Sequence, residues 1–285
     1  MHQFLLHNGR ILEANAAVLA PGQVGLLSGW GVFSTIRVSD GVLFAWERHW
    51  NRMRRDAELL HVPFPADSGP VHESLLRLIV ANQAPNATLR LVVIRNRGGV
   101  WEGPGLDRDY DLVAFTTKVK DWGRNVRLAL QPQGRHSGCP FAGTKMLSWS
   151  FNLIWLEQAH GRGFDEALLL NERGEVSECT SANVFAAYGC RVLTPPLSSG
   201  CLPGVTRELL LEETRVAGYE IAEENLRPED LERADEVFIT STTRELLPVS
   251  EVEGLNVQHN DAARMALQAS FSAYCDTYVH GGGAR

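Results

Sequence analysis

Lys145, in the run FAGTKMLSW, is the side chain with the clearest capacity for covalent chemistry. Phe141, Met146, Leu147 and Trp149 flank it, and apolar surroundings lower a lysine pKa because burial disfavours the ammonium. The neutral amine is a nucleophile that forms a Schiff base with an aldehyde. Alone, the ordinary reading of the residue is a lysine that starts a helix with its head in water. Glu178, in GEVSECTSANVF, lies between strand-like stretches beside small residues. A carboxylate there would keep a ring nitrogen protonated, although an exposed turn also accommodates a glutamate.

Three segments have the chemistry to hold a phosphate. In GCLPGVTR a loop precedes a helix, whose N-terminal backbone N–H groups would hold an anion, with a threonine hydroxyl as a further donor. Ser241-Thr242-Thr243 follows the apolar run VFIT, which clusters hydroxyls at a strand end. Arg52 lies beside the apolar stripe of a helix, from which its guanidinium would reach inward. Each has an ordinary structural alternative: a cap, a turn, or a solvated flank. Nucleotide fingerprints, HExxH and GxSxG are all absent. His49, His61, His136 and His160 have no ligand spacing and read as surface or packing residues, and no metal site is expected.

These residues need a scaffold. Phe4–Leu6 and Arg10–Leu12 flank an Asn-Gly turn, and Val32–Val38 with Val42–Phe44 flank Asp40-Gly41, giving two hairpins. Trp46, Trp50, Met53, Ala57 and Leu60 recur at helical spacing until Pro63 and Pro65, and 71–82 is a second helix. Leu89–Ile94 and Leu112–Thr116 read as buried strands. Polar 118–125 (KVKDWGRN) reads as a linker. Strands follow at Val126–Leu130, Ala167–Leu170, Val184–Ala187, Arg191–Thr194 and Glu236–Thr240. Helices are expected from about Lys145 to His160, from Pro203, and over Asp261–Tyr278. Strands and helices mix without strict alternation, so the class is α/β of mixed α+β kind. The division expected is a smaller N-terminal α/β domain over 1–117, a linker over 118–125 and a larger C-terminal domain over 126–285. Low complexity is confined to the HGGGAR tail.

Composition narrows the setting. The chain has 285 residues, 44% apolar, 21% charged and a net charge of −7, which suits one or two globular domains. The acidic balance argues against a phosphate-backbone binder, and no apolar run approaches the ~20 residues that span a bilayer. No signal peptide is expected at the start. Five scattered cysteines (Cys139, Cys179, Cys190, Cys201, Cys275) form no CxxC pair, so neither zinc nor a disulfide framework is indicated and a reducing, cytoplasmic setting is expected.

Taken in order, HNGRILEA, GWGVFSTIRVSDG, ERHWNRM, AGTKMLS, FDEALLLNERGEVSECTSANVF, TPPLSSGCLPGVTR and ADEVFITSTTRELLPV resemble the class IV, or fold type IV, pyridoxal phosphate enzymes. That family includes branched-chain aminotransferases, D-amino acid aminotransferases and 4-amino-4-deoxychorismate lyases. The resemblance implies a two-domain fold with the cofactor, pyridoxal 5'-phosphate, between the domains, and a homodimer. Lys145 would hold the cofactor as an aldimine and act as general base, and Glu178 would pair with the pyridine nitrogen. Arg52, Val205, Thr206, Ser241 and Thr242 would hold the phosphate. Phe33, Thr35, Arg37, Arg95, Arg97 and Thr243 would line the substrate side. Relatives commonly have Gly-Asp-Gly where Gly29-Trp30-Gly31 stands and often glutamate at Ser34. Branched-chain enzymes have tyrosine where Ser150 stands, and D-amino acid enzymes have it at Phe33. The resemblance therefore implies transamination between an amino acid of branched-chain or D type and a 2-oxo acid. Lyase activity releasing pyruvate and 4-aminobenzoate is the alternative, and an inactive binding protein of the same fold a third.

Overall fold

The computed structural model describes residues 1–16, 19–20, 22–100 and 107–281; the glycine-rich tail beyond Gly281 lies outside them. The chain forms two compact units. One comprises Met1–Lys120, Thr144–Trp149 and Thr277–Arg285; the other comprises Asp121–Gly143 and Ser150–Asp276.

In the first unit, strands β1 (Phe4–His7), β2 (Arg10–Glu13), β3 (Gly31–Ser39), β4 (Val42–Leu43), β5 (Ala87–Arg95) and β6 (Tyr110–Thr117) form one antiparallel sheet, ordered β2-β1-β6-β5-β3-β4. The short helix α1 (Val24–Ser28) precedes β3, and α2 (Trp46–Leu59) and α3 (Ser68–Ala81) follow the second hairpin. Strand side chains alternate between faces. Val32, Ile36 and Val38 of β3 and Leu89, Leu91 and Val93 of β5 pack with Met53, Ala57, Leu75, Leu78 and Ile79 of the helices. The intervening residues Phe33, Val92 and Ile94 pack instead with Leu147 on the opposite face.

The segment carrying Lys145 is extended, not helical. Phe33 N donates to Lys145 O (3.1 Å) and Leu147 N donates to Gly31 O (2.9 Å), with Met146 bridged antiparallel to Val32. The sequence is expected to begin a helix near Lys145, but α4 runs Ser150–Gly161. The unclaimed edge of β3 takes the backbone groups that a helix would use, so tertiary pairing overrides local propensity.

The second unit is built on a mixed eight-stranded sheet. Its strands are β7 (Val126–Gln131), β8 (Glu166–Leu170), β9 (Val176–Cys179), β10 (Asn183–Tyr188), β11 (Arg191–Thr194), β12 (Glu220–Glu223), β13 (Glu236–Ser241) and β14 (Glu245–Val252), ordered β12-β11-β10-β13-β14-β7-β8-β9. Central strands are apolar almost throughout, and every residue of β8 and β9 is buried. Phe185 and Phe238 stack with centroids 5.3 Å apart. Helices α5 (Val205–Glu212), α6 (Pro228–Arg233) and α7 (Ala262–His280) complete the chain. The proline at 203 does not itself open α5: the helix starts at Val205 with Gly204 as its N-cap. No helix among the described residues is long and apolar enough to cross a membrane.

The seam at β3 yields a direct test. A Cβ at Gly31 would overlap Val93 O and lie 2.6 Å from Leu147 Cδ1. Gly31→Ala is expected to destabilise the protein by about 1–3 kcal/mol through overpacking, measured by urea unfolding. A midpoint equal to wild type would show that the segment can shift without cost.

Candidate active site

In the first unit, α2 presents polar groups within its buried stripe. His49, Arg52 and Asp56 are buried alongside Trp50, Met53 and Ala57. Arg52 Nη2 donates to Ser34 Oγ (2.9 Å), and the same hydroxyl lies 2.7 Å from His49 Nδ1. Asp56 Oδ2 accepts from Lys145 N (3.0 Å). The lysine backbone is therefore held at its nitrogen by α2 and at its carbonyl by β3. Its Nζ lies 4.8 Å from the centroid of the Phe33 ring.

His49 is the most perturbed base of this group. Burial, together with the positive charges of Arg52 and Lys145, pulls its pKa well below the usual 6.5, so the imidazole is neutral at physiological pH. Its Nε2 is buried with no hydrogen-bond partner among the described residues. The sequence reads His49 as a surface or packing residue, and the structure buries it. What that reading misses is the polar cluster it joins. The His-x-x-Arg-x-x-x-Asp spacing over 49–56 places all three on one helical face, which is the signal available in the sequence.

The substrate-side residues fall in different places. Phe33, Thr35 and Arg37 alternate along one face of β3. Arg90 of β5 pairs in register with Thr35, and its guanidinium stacks 3.8 Å from the Phe33 centroid. Burial lowers the Arg90 pKa, and among the described residues no carboxylate pairs with it. No motif in the sequence singles it out. Arg95 has the opposite parity: it covers the Trp30 ring at 4.1 Å and donates to Arg97 O (2.7 Å) and His61 O. Arg97 lies beyond β5, 3.7 Å from Asp109. The structure thus brings Phe33, Thr35 and Arg90 to one face of the sheet, with the Phe33 ring beside the Lys145 amine, and does not bring Arg95 or Arg97 to that face.

The second unit holds the remaining candidates. Glu178 on β9 is nearly buried, and both its oxygens are engaged. Oε1 accepts from Arg135 Nε (2.9 Å) and Oε2 accepts from Leu202 N (3.1 Å). Arg135 is itself held by Asn152 Oδ1 (3.1 Å). Each carboxylate oxygen retains a further acceptor position, so the group can still face a protonated ring nitrogen. Arg135 carries no sequence signal, since nothing in GRHSG marks a carboxylate partner.

Leu202 belongs to the loop that leads into α5. Gly204 caps that helix without a side-chain hydrogen bond, and a Cβ there would overlap Asn183 Oδ1. The backbone can thus pass close to Asn183 while the first-turn N–H groups of Val205 and Thr206 stay open to an anion. Thr206 is buried beside them. Ser241 ends β13 opposite Glu245 at the start of β14, which leaves Thr242 and Thr243 at the tip of a tight turn. Within the second unit the donor set suits a phosphate and a protonated pyridine: a helix start with no side-chain cap, hydroxyls and a fixed carboxylate.

This chain belongs to the class IV aminotransferase family, whose model matches residues 31–252. The family depends on pyridoxal 5'-phosphate. A Methanocaldococcus jannaschii protein provisionally named as a branched-chain-amino-acid aminotransferase is 30% identical over 252 residues, covering 87% of each chain. The aminodeoxychorismate lyase of Bacillus subtilis is 28% identical over 98% of this chain and 97% of its own. Among solved structures, the branched-chain amino acid aminotransferase of Escherichia coli matches in fold with a TM-score of 0.88. At 22% identity it covers 96% of this chain and 95% of that one.

His49 makes the site pH-sensitive in a defined direction. Its folded pKa is depressed, so below 6.5 the unfolded chain takes up a proton that the folded chain refuses, and stability is lost as pH falls. The wild type is expected to lose stability between pH 7.5 and 5.5 faster than His49→Gln in chemical denaturation. Parallel curves for the two proteins would contradict a depressed imidazole.

Proposed function

We propose that this chain is a pyridoxal phosphate-dependent aminotransferase that moves an amino group between an amino acid, of branched-chain or D type, and a 2-oxo acid. One observation carries the reading: the backbone-clamped Lys145 shares the Phe33 ring with Arg90, whose guanidinium has no carboxylate partner among the described residues. A primary amine beside a cation of this kind suits a substrate with a reacting Cα and a carboxylate. When bound, the cofactor would supply an electron sink for the bonds at the substrate Cα.

This chain's residues supply the rest. Lys145 Nζ would hold the cofactor covalently until the substrate amine replaces it, and the released amine would be the base that takes and returns the Cα proton. The Glu178 carboxylate, fixed by Arg135 and Leu202 N, holds a proton at the pyridine nitrogen. Val205, Thr206, Ser241 and Thr242 of the second unit would hold the phosphate, a role the family resemblance also gives Arg52. Phe33, Thr35, Arg37 and Arg90 of the first unit would orient the substrate, a role the resemblance also gives Thr243. Helix α4 exposes Phe151, Leu153 and Ile154, an apolar surface that supports self-association into a homodimer. The scattered spacing of the five cysteines, with no CxxC pair, supports a reducing compartment such as the cytoplasm.

A second reading is 4-amino-4-deoxychorismate lyase, favoured by the near-complete coverage shared with the Bacillus subtilis enzyme. The two reactions part after Cα deprotonation, when either an amino group is passed on or pyruvate leaves. Purified enzyme supplied with L- or D-amino acids plus 2-oxoglutarate or pyruvate is expected to form the new amino acid; product from aminodeoxychorismate alone would establish the lyase. Arg90→Met is expected to raise KM for the 2-oxo acid about tenfold or more.

Lys145→Ala is expected to abolish the visible band of lysine-bound cofactor. Borohydride trapping of the wild type should label Lys145, and label on another lysine would remove its role. Glu178→Gln should retain cofactor and lose most turnover; near-normal turnover would refute its part in the reaction.

A further inference from the structure

We propose that Arg244 and Glu166 form a positioning pair that holds the Ser241–Thr243 turn as a phosphate cup at a fixed distance from the strand carrying Glu178. The proposal rests on the reading of the chain as a pyridoxal phosphate enzyme. An arginine next to a hairpin tip normally extends into solvent, yet the Arg244 side chain is 5% exposed and the Glu166 side chain fully buried. Arg244 Nη2 donates to Glu166 Oε2 (3.1 Å). Nη1 donates to the Ser181 carbonyl (3.1 Å) and to Ser181 Oγ (3.0 Å). The guanidinium carbon lies 3.8 Å from the Trp122 ring centroid.

Glu166 is as fully committed. Its Oε1 accepts from Ala167 N (3.0 Å) and from Thr180 Oγ1, and its Oε2 from Ser181 Oγ (2.6 Å) as well as Arg244. Thr180 and Ser181 directly follow Cys179, the end of β9 and the neighbour of Glu178. One buried carboxylate therefore links the start of β8, the exit of the Glu178 strand and the β13–β14 turn. Backbone bonds brace the same turn: Arg244 N donates to Ser241 O and Oγ, each at 3.2 Å, and Glu245 takes a left-handed φ of +55°. A buried ion pair adds little net stability over an apolar pair, so its best-attested use is to fix an arrangement. What needs fixing here is the spacing between the group that holds a ring nitrogen and the turn that holds a phosphate, which bind opposite ends of one small rigid molecule.

The test titrates apo wild type, Arg244→Lys, Arg244→Met and Glu166→Gln/Arg244→Met with pyridoxal 5'-phosphate and, separately, with pyridoxal, following visible absorbance. Arg244→Met is expected to weaken pyridoxal 5'-phosphate binding about tenfold or more while leaving pyridoxal binding unchanged, and Arg244→Lys is expected to restore part of the loss. The loss should be less than additive with Thr242→Val, because both act through one turn. The double variant removes both charges, so it carries the comparison if Arg244→Met does not fold. Wild-type affinity in both Met variants, or equal loss of phosphorylated and unphosphorylated ligand, would overturn the positioning role. A wild type that takes up neither ligand would instead overturn the functional reading.

Discussion

Two hydrogen bonds on the backbone of one residue organise the first unit. Lys145 receives Phe33 N at its carbonyl and gives its own N–H to Asp56. With both backbone groups satisfied, the residue cannot rotate without losing a partner, and a buried polar group left unmade costs about 1–3 kcal/mol. The position of the amine follows from this clamp. So does its neighbourhood, because β3 alternates and the register with β5 sets Arg90 across from Thr35. A one-residue slip of β5 would move Arg90 to the helix-packed face.

Much of this is legible in the amino-acid sequence alone. Asn-Gly and Asp-Gly turns, the helical spacing of Trp46 to Leu60 and the apolar runs at 167–170 and 236–240 mark their own elements, because burial on one or both faces leaves a period in the sequence. Lys145 and Glu178 stand out as residue types in unusual surroundings. What is not legible depends on pairing at a distance. Nothing local says that 144–147 will complete an edge of β3 rather than begin α4. Arg135, Arg90, Glu166 and Arg244 are ordinary charged residues until the sheets bring them to a ring, a carboxylate or a turn. The expectation for Arg95 and Arg97 rests on position along the chain, whereas strand parity decides which face a side chain reaches.

The second unit uses charge differently. Arg135 with Glu178 and Arg244 with Glu166 are both largely buried pairs, set about the C-terminal end of β9. Each arginine also bonds a neutral group, Asn152 or Ser181, so the charges are embedded in hydrogen-bond networks rather than left as bare pairs. Such arrangements resist small displacements, because moving one member leaves several groups unsatisfied together. Rigidity of this kind suits a reaction in which a proton must be delivered to one atom and withheld from its neighbours.

The discontinuity of the first unit bears on how the molecule is made. All six strands of its sheet lie before residue 118, yet the edge of β3 at Gly31–Phe33 is paired by residues 145–147. During synthesis the ribosome delivers β3 more than a hundred residues ahead of its partner, and at roughly 5–20 residues per second the interval is on the order of ten seconds. An unpaired strand edge is a template for the wrong strand. The lysine segment thus has a second part in the life of the protein: it pairs the β3 edge at Gly31–Phe33, and until it is made that edge is open to non-native pairing.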